Sequence, residues 1–198
     1  MISLTAVLFA GGESRRMGAD KATLIFDGQP LWARQLATLE KMSPEKILIS
    51  ARTQPPWCPA EIETVLDGKN SCGPIGGLAA ALEKITTAHL LALAVDLPLM
   101  TPGQLKIMLR QATPGVGVMP QSGHFFEPLG AIYPAAALPF VERQIAAGDF
   151  SLQNLAHVVC EQGLSRIHPL TAKELPLYHN VNTFADFETG LKLTSPAS

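Results

Sequence analysis

Apolar residues along this chain fall into short, nearly continuous runs, separated by segments that carry glycine and proline. Residues 4–9, Leu-Thr-Ala-Val-Leu-Phe, form the first such run. A run this short, without polar alternation, predicts a strand buried on both faces. Residues 46–50, 63–66 and 90–95 read the same way, and 115–119 predict a further strand. Between the runs the period changes. Leu31, Gln35, Leu36, Leu39 and Met42 recur at helical spacing behind Pro30, which predicts a helix over 30–41. A second helix is predicted over 74–84, entered through Gly73-Pro74. A third runs from the cap Thr101 and first-turn Pro102 to about residue 112. Helices are also predicted over 134–147, over 151–159 with Ser151 as cap, and over 183–192, where Thr183 and Asp186 suit a capping box. Residues 22–26 read as a short extended piece closed by the turn Asp27-Gly28. Segment 120–133 reads as loop or hairpin, and 167–178 carries no defined pattern.

Strand and helix therefore alternate through the first half. Buried strands in that alternation imply an α/β protein, a three-layer sandwich with a mostly parallel central sheet and helices on both faces. No internal repeat, low-complexity tract or linker interrupts the chain, so residues 1–198 are expected to form one domain. In such sheets ligands sit at the carboxyl ends of the strands. That rule directs attention to residues 10–21, 50–52, Asp67 and Asp96, each of which follows a predicted strand.

Composition narrows the possibilities. Of 198 residues, 47% are hydrophobic and only 16% are charged, with a net charge of −2. Such a chain is not mainly disordered, and it lacks the basic excess of a nucleic-acid-binding surface. The 16 glycines and 16 prolines point to many tight connections. Three cysteines, Cys58, Cys72 and Cys160, are widely spaced and form no zinc pattern, which suits reduced thiols in the cytoplasm. The first ten residues lack a basic signal region, and the run 90–100 is broken by Asp96 and Pro98, so no membrane segment is expected.

The segment after the first strand holds the clearest chemistry. It reads Ala10-Gly11-Gly12-Glu13-Ser14-Arg15-Arg16-Met17-Gly18-Ala19-Asp20-Lys21. Paired glycines allow positive φ and a close backbone approach, and exposed N–H groups in such a turn form an anion nest. Arg15, Arg16 and Lys21 add cations within reach, a combination suited to a triphosphate. The segment is neither a P-loop nor a dinucleotide fingerprint. Asp96 follows an apolar strand. A carboxylate there is a hard-cation ligand, and Mg²⁺ commonly takes one or two carboxylates plus phosphate oxygens.

Residues 8–21 resemble the signature of the molybdenum cofactor guanylyltransferase-like (MobA-like) nucleotidyltransferases, in which Leu-Ala-Gly-Gly is followed by Arg-Met-Gly and a lysine. Here Phe9 stands between Leu8 and Ala10. The similarity continues through Asp27-Gly28-Gln29-Pro30-Leu31, residues 73–78, Val95-Asp96-Leu97-Pro98, Glu127-Pro128-Leu129 and Asn180-Val181-Asn182-Thr183, so it covers nearly the whole chain. The resemblance implies a Rossmann-like nucleotidyltransferase fold. It implies GTP as donor, molybdopterin cofactor as acceptor and Mg²⁺ as cofactor, with pyrophosphate released. It also implies cofactor-biosynthesis and molybdoenzyme-maturation proteins as partners, and neither nucleic acid nor membrane.

By the same resemblance, Arg16, Lys21 and Asp96 are the catalytic residues, with Asp96 on the metal. Leu8, Ala10, Gly11, Gly12, Lys21, Ser50, Asp67, Gly73 and Asp96 line the nucleotide, and Asn180 and Asn182 face the acceptor. Asp67-Gly68 is also an ordinary turn, and the family often has Asn where this chain has Ser50. Related cytidylyltransferases usually carry Ala-Ala-Gly in the first loop, so Ala10-Gly11-Gly12 favours guanine. A cytidylyl- or sugar-phosphate nucleotidyltransferase, or a non-catalytic nucleotide-binding regulator on the same fold, stands as the alternative. Phe125 and Phe126 read as a loop anchor rather than a stacking platform, and His124 as a solvated loop residue.

Overall fold

The computed structural model describes residues 2–11, 20–66 and 72–181. Strand β1 (Leu4–Phe9) lies at the centre of an eight-stranded sheet. Beside it run β4 (Lys46–Ala51) and β6 (His89–Ala94), both parallel to it. Beyond β4 comes β5 (Glu63–Leu66), also parallel. Beyond β6 come β9 (Gly130–Pro134), β7 (Gly117–Ser122) and the edge strand β10 (Ser165–Pro169). Strand β9 runs antiparallel to both its neighbours, and the two-residue β8 (Phe125–Phe126) folds back on β7. A separate two-stranded ribbon pairs β2 (Ile25–Phe26) with β3 (Gln29–Pro30). Asp27 and Gly28 connect it with φ of 52° and 77°, the positive values that a tight hairpin turn of Asp-Gly supplies.

Both faces of the sheet are buried, as the unalternated runs require. Leu4, Ala6 and Leu8 of β1 point to one face, where they meet helix α1 (Leu31–Glu40) and helix α3 (Pro102–Leu109). Val7 and Phe9 point to the other, against α2 (Pro74–Lys84), α4 (Leu138–Ala146) and α5 (Leu152–Glu161). Thr101 caps α3 by accepting a hydrogen bond from the Gln104 N–H at 3.2 Å, and Ser151 caps α5 by accepting one from the Asn154 N–H at 3.2 Å. The result is the three-layer, mostly parallel α/β sandwich that the alternation predicts.

The second half departs from expectation. The strand predicted over 115–119 begins at Gly117 and continues to Ser122. The segment 120–133, read as loop or hairpin, holds the β7–β8 hairpin and the first four residues of β9, every residue of which is buried. The five residues of β9 begin with glycine and end with proline, which look like punctuation; they form a strand because β6 and β7 supply hydrogen-bonding edges on both sides. For the same reason the helix predicted over 134–147 starts late. Pro134 belongs to β9, a 3₁₀ turn covers Ala135–Ala137, and α4 follows. The undefined stretch 167–178 holds most of β10 and a 3₁₀ turn at Leu175–Tyr178. The helix predicted over 183–192 lies outside the described residues.

The chain leaves β1 towards β4 and β5, then crosses back to β6 on the opposite side of β1. The strand order thus reverses at the β1–β6 pair. At such a switch point the connections diverge to opposite faces and leave a crevice at the carboxyl edge.

Candidate active site

Three strands end together at that crevice. Ala10, just past β1, donates its N–H to the Ser50 carbonyl at 2.9 Å, and Val95, just past β6, donates to the Phe9 carbonyl at 3.0 Å. These bonds bring Ala10, Ser50 and Asp96 to one edge. Lys21 completes the group. Its Nζ lies 2.7 Å from Asp96 Oδ2, with side chains 12% and 23% exposed, so the pair is accessible from the crevice without being fully solvated. Lys21 begins the 3₁₀ turn Lys21–Thr23, whose cap is Asp20: its Oδ1 accepts the Ala22 N–H at 3.0 Å.

The loop carrying Asp96 is held from below by α1. Gln35 is fully buried, and its Nε2 donates to the carbonyls of Leu97 and Ala94. Arg34 Nε donates to the Pro98 carbonyl at 2.6 Å. Loop carbonyls that would otherwise lack partners are thereby satisfied, which fixes the direction of the Asp96 side chain before any ligand arrives. On the far side, Val181 donates its N–H to the Asp96 carbonyl at 2.9 Å, which draws Asn180 to the same edge. The chain reaches that position because Tyr178 packs closely against the start of β9. A Cβ on Gly130 would lie 2.7 Å from Tyr178 Cε1, so only glycine permits the approach.

Glu174 ties this same segment to α3 and β10. It accepts hydrogen bonds from the Thr171 N–H at 2.8 Å, the Thr171 hydroxyl at 2.7 Å and Gln104 Nε2 at 2.9 Å, and lies 3.0 Å from His168 Nε2. Burial works to raise its pKa, but these partners outweigh it and hold the carboxyl at about 2. Glu127 is shifted the other way. Burial first, and the negative charge of Asp96 second, push its pKa up to about 7. Two carboxyl groups thus share the crevice, and one of them resists ionisation.

The sequence-selected residues divide clearly. Ala10, Gly11, Lys21, Ser50, Asp96 and Asn180 gather at the carboxyl edge, with Gly11 and Asn180 exposed. Gly73 stands at the entry of α2 with φ 69°, a conformation suited to glycine. Leu8 is fully buried inside β1 and presents its side chain to the core rather than to the crevice. Gly12, Arg16, Asp67 and Asn182 lie outside the described residues. The two phenylalanines part company: Phe126 is the buried anchor expected, edge-on to His157, whereas Phe125 is 69% exposed. Reading the sequence did not single out Gln35 or Arg34 for the site. The available signal was a glutamine standing within the apolar stripe of α1. Among the described residues no group of three or more His, Cys, Asp or Glu is arranged to hold a metal. Asp96 offers a carboxylate of the kind a divalent cation accepts when phosphate oxygens and water supply the remainder.

A mostly parallel sheet with a lysine–carboxylate pair at its switch point is the arrangement of an α/β nucleotide-binding protein. Comparisons with known proteins agree. The fold matches a crystal structure of molybdopterin-guanine dinucleotide biosynthesis protein A from Archaeoglobus fulgidus with a TM-score of 0.73 and 24% identity, covering 96% of this chain and 97% of that one. A probable molybdenum cofactor guanylyltransferase from Opitutus terrae is 34% identical over 175 residues, 87% of each chain. A molybdenum cofactor guanylyltransferase from Pseudomonas putida is 30% identical over 161 residues, 80% of this chain and 84% of that one. The model of the MobA-like NTP transferase domain matches residues 6–166, and the chain belongs to that family.

Proposed function

We propose that this protein, as one nucleotidyltransferase domain over residues 1–198, moves GMP from GTP to the terminal phosphate of molybdopterin cofactor and releases pyrophosphate. The observation that carries the reading is the Lys21–Asp96 pair at 2.7 Å on the carboxyl edge, supported by relatives named as guanylyltransferases. An acceptor phosphate oxygen attacks the α-phosphorus of GTP. The bond from that phosphorus to the bridging oxygen of the β-phosphate breaks, and the pyrophosphate carries the electron pair away. Such chemistry asks the protein for in-line positioning and charge stabilisation rather than covalent help.

Without nucleotide, Lys21 and Asp96 satisfy each other. With nucleotide, the Lys21 ammonium would turn to the phosphates, and the Asp96 carboxylate would be free to hold a divalent cation. Mg²⁺, when bound, neutralises phosphate charge, and Asp96 is the residue suited to hold it. The backbone N–H groups of Gly11 and Gly12 and the guanidinium of Arg16 bind the triphosphate, and Ala10, whose own N–H is held by Ser50, lines it. Leu8 contributes through its place in β1, while Ser50, Asp67 and Gly73 lie towards the nucleoside. Asn180 and Asn182 face the acceptor. The reading includes a cytoplasmic location, with cofactor-biosynthesis and molybdoenzyme-maturation proteins as partners.

Titration calorimetry with GTP and CTP in Mg²⁺ tests the donor, and tighter CTP binding would replace guanylyl by cytidylyl transfer. Pyrophosphate release with GTP and molybdopterin cofactor tests turnover, and binding without release would favour a regulator. Asp96→Asn should abolish Mg²⁺-dependent release while thermal unfolding stays cooperative; wild-type release in that variant would move the metal role to another residue.

A further inference from the structure

Lys21 sits in a 3₁₀ turn of three residues, and so short a turn has no stability of its own. Something outside it must fix the lysine. The residue before it, Asp20, has both carboxylate oxygens engaged. Oδ1 takes the Ala22 N–H at 3.0 Å, and Oδ2 takes the indole N–H of Trp57 at 2.8 Å. Trp57 belongs to the proline-rich connection between β4 and β5, a segment distant in sequence from residues 20–23. That connection is itself ordered by turns: the Cys58 N–H donates to the Pro55 carbonyl at 3.1 Å, and the Ile62 N–H to the Pro59 carbonyl at 3.0 Å. The Trp57 ring stacks on Trp32 of α1, with centroids 5.2 Å apart and planes 15° from parallel. Both indoles are partly buried against the core cluster on that face of the sheet.

A continuous set of contacts therefore runs from α1 through Trp32, Trp57 and Asp20 to the lysine that pairs with Asp96. We infer that Trp57 is a positioning residue for the nucleotide: its indole N–H fixes Asp20, and Asp20 fixes the direction from which Lys21 meets the phosphates. Trp57 touches neither Lys21 nor Asp96 in this scheme. It acts through a single charge-assisted hydrogen bond, held in line by stacking on a rigid helix. The inference rests on the proposed nucleotidyl transfer.

Steady-state kinetics of the whole chain with varied GTP test it, using Trp57→Phe, Asp20→Asn and the double variant. Trp57→Phe keeps an aromatic ring against Trp32 and removes the donor together with part of the stacked ring. Each single variant should lower kcat/KM for GTP about tenfold, the effect expected from one hydrogen bond to a charged group. The double variant should fall no more than about twofold further, because both changes break the same bond. Effects that multiply, or a Trp57→Phe variant with wild-type kcat/KM, would overturn the inference. A second readout does not need turnover. In ¹⁵N-indole-labelled protein the Trp57 N–H should exchange with solvent more slowly in the wild type than in Asp20→Asn, and equal rates would overturn the contact on which the inference depends. A wild-type chain that transfers nothing from GTP would instead overturn the underlying reading, a result recognisable because it appears before any substitution is made.

Discussion

Glu127→Gln should make the protein more stable at alkaline pH and leave it unchanged in acid. The carboxyl lies beside Asp96 in the crevice, half-buried, and its pKa rises from the ordinary 4.5 to about 7, first because burial disfavours the charged form and second because Asp96 is negative. The native state therefore holds the Glu127 proton more tightly than the unfolded chain does. Stability due to this group is fully present below about pH 4.5 and is lost as pH rises through 7. A shift of this size corresponds to about 3 kcal/mol at most. The Glu127 side chain is only partly buried, and solvent screening brings the expected cost to about 1–2 kcal/mol. Glutamine has nearly the same shape and no charge, so it avoids that cost. Urea denaturation in EDTA at pH 4.5, 6, 7 and 8 measures the difference, with an unchanged m-value as evidence that the same surface unfolds. The variant should be more stable by about 1–2 kcal/mol at pH 8, and the gap should close near pH 4.5. A gap that does not change with pH, or a variant weaker than wild type at pH 8, would refute the account. A stabilising variant at this position would also fit the tension between stability and function that charged crevices impose.

Glu174→Gln should behave in the opposite sense: its carboxyl is held at about 2, so its contribution is present above about pH 4.5 and disappears as pH falls towards 2. Acid titration of the two proteins by circular dichroism should show a gap of about 2 kcal/mol at pH 7 that narrows below pH 4, and a constant gap would count against the Thr171, Gln104 and His168 contacts as its source. Gly117→Ala should be destabilising, because the added Cβ would lie 2.0 Å from the Ile132 carbonyl oxygen and force β7 away from β9. Thermal melts should report a loss of about 3 kcal/mol, the upper part of the overpacking range, and a loss below about 1 kcal/mol would mean the strands adjust freely.

What could be read from the sequence, and what could not, follows from the range of the forces involved. Strand β1 was legible because an unalternated apolar run can be satisfied only between two layers, and its bounds at Leu4 and Phe9 were set by the residues themselves. The entry to α2 was legible because Pro74 constrains its own backbone and Gly73 permits the positive φ before it. Strand β9 was not, since Gly130 and Pro134 carry no strand signal of their own and the edges that recruit them lie in β6 and β7. The start of β6 was missed for a related reason. His89 looks like a polar boundary, yet it is fully buried, with Nε2 near the Thr113 and Val116 carbonyls at 3.1 and 3.2 Å. The site divides along the same line. Lys21 and Asp96 could be selected because each is a charged residue just outside an apolar or glycine-rich segment, where a charge has few structural uses. Their pairing spans 75 residues and has no periodicity that a sequence could display. Gln35 and Trp57 were hidden more deeply, since a glutamine in a helix stripe and a tryptophan among prolines have ordinary explanations. Their importance arises only from the particular carbonyl or carboxylate that the fold places against them. Residues that carry charge to a ligand can therefore be sought by type and position after a strand, whereas residues that aim those charges have to be sought in contacts.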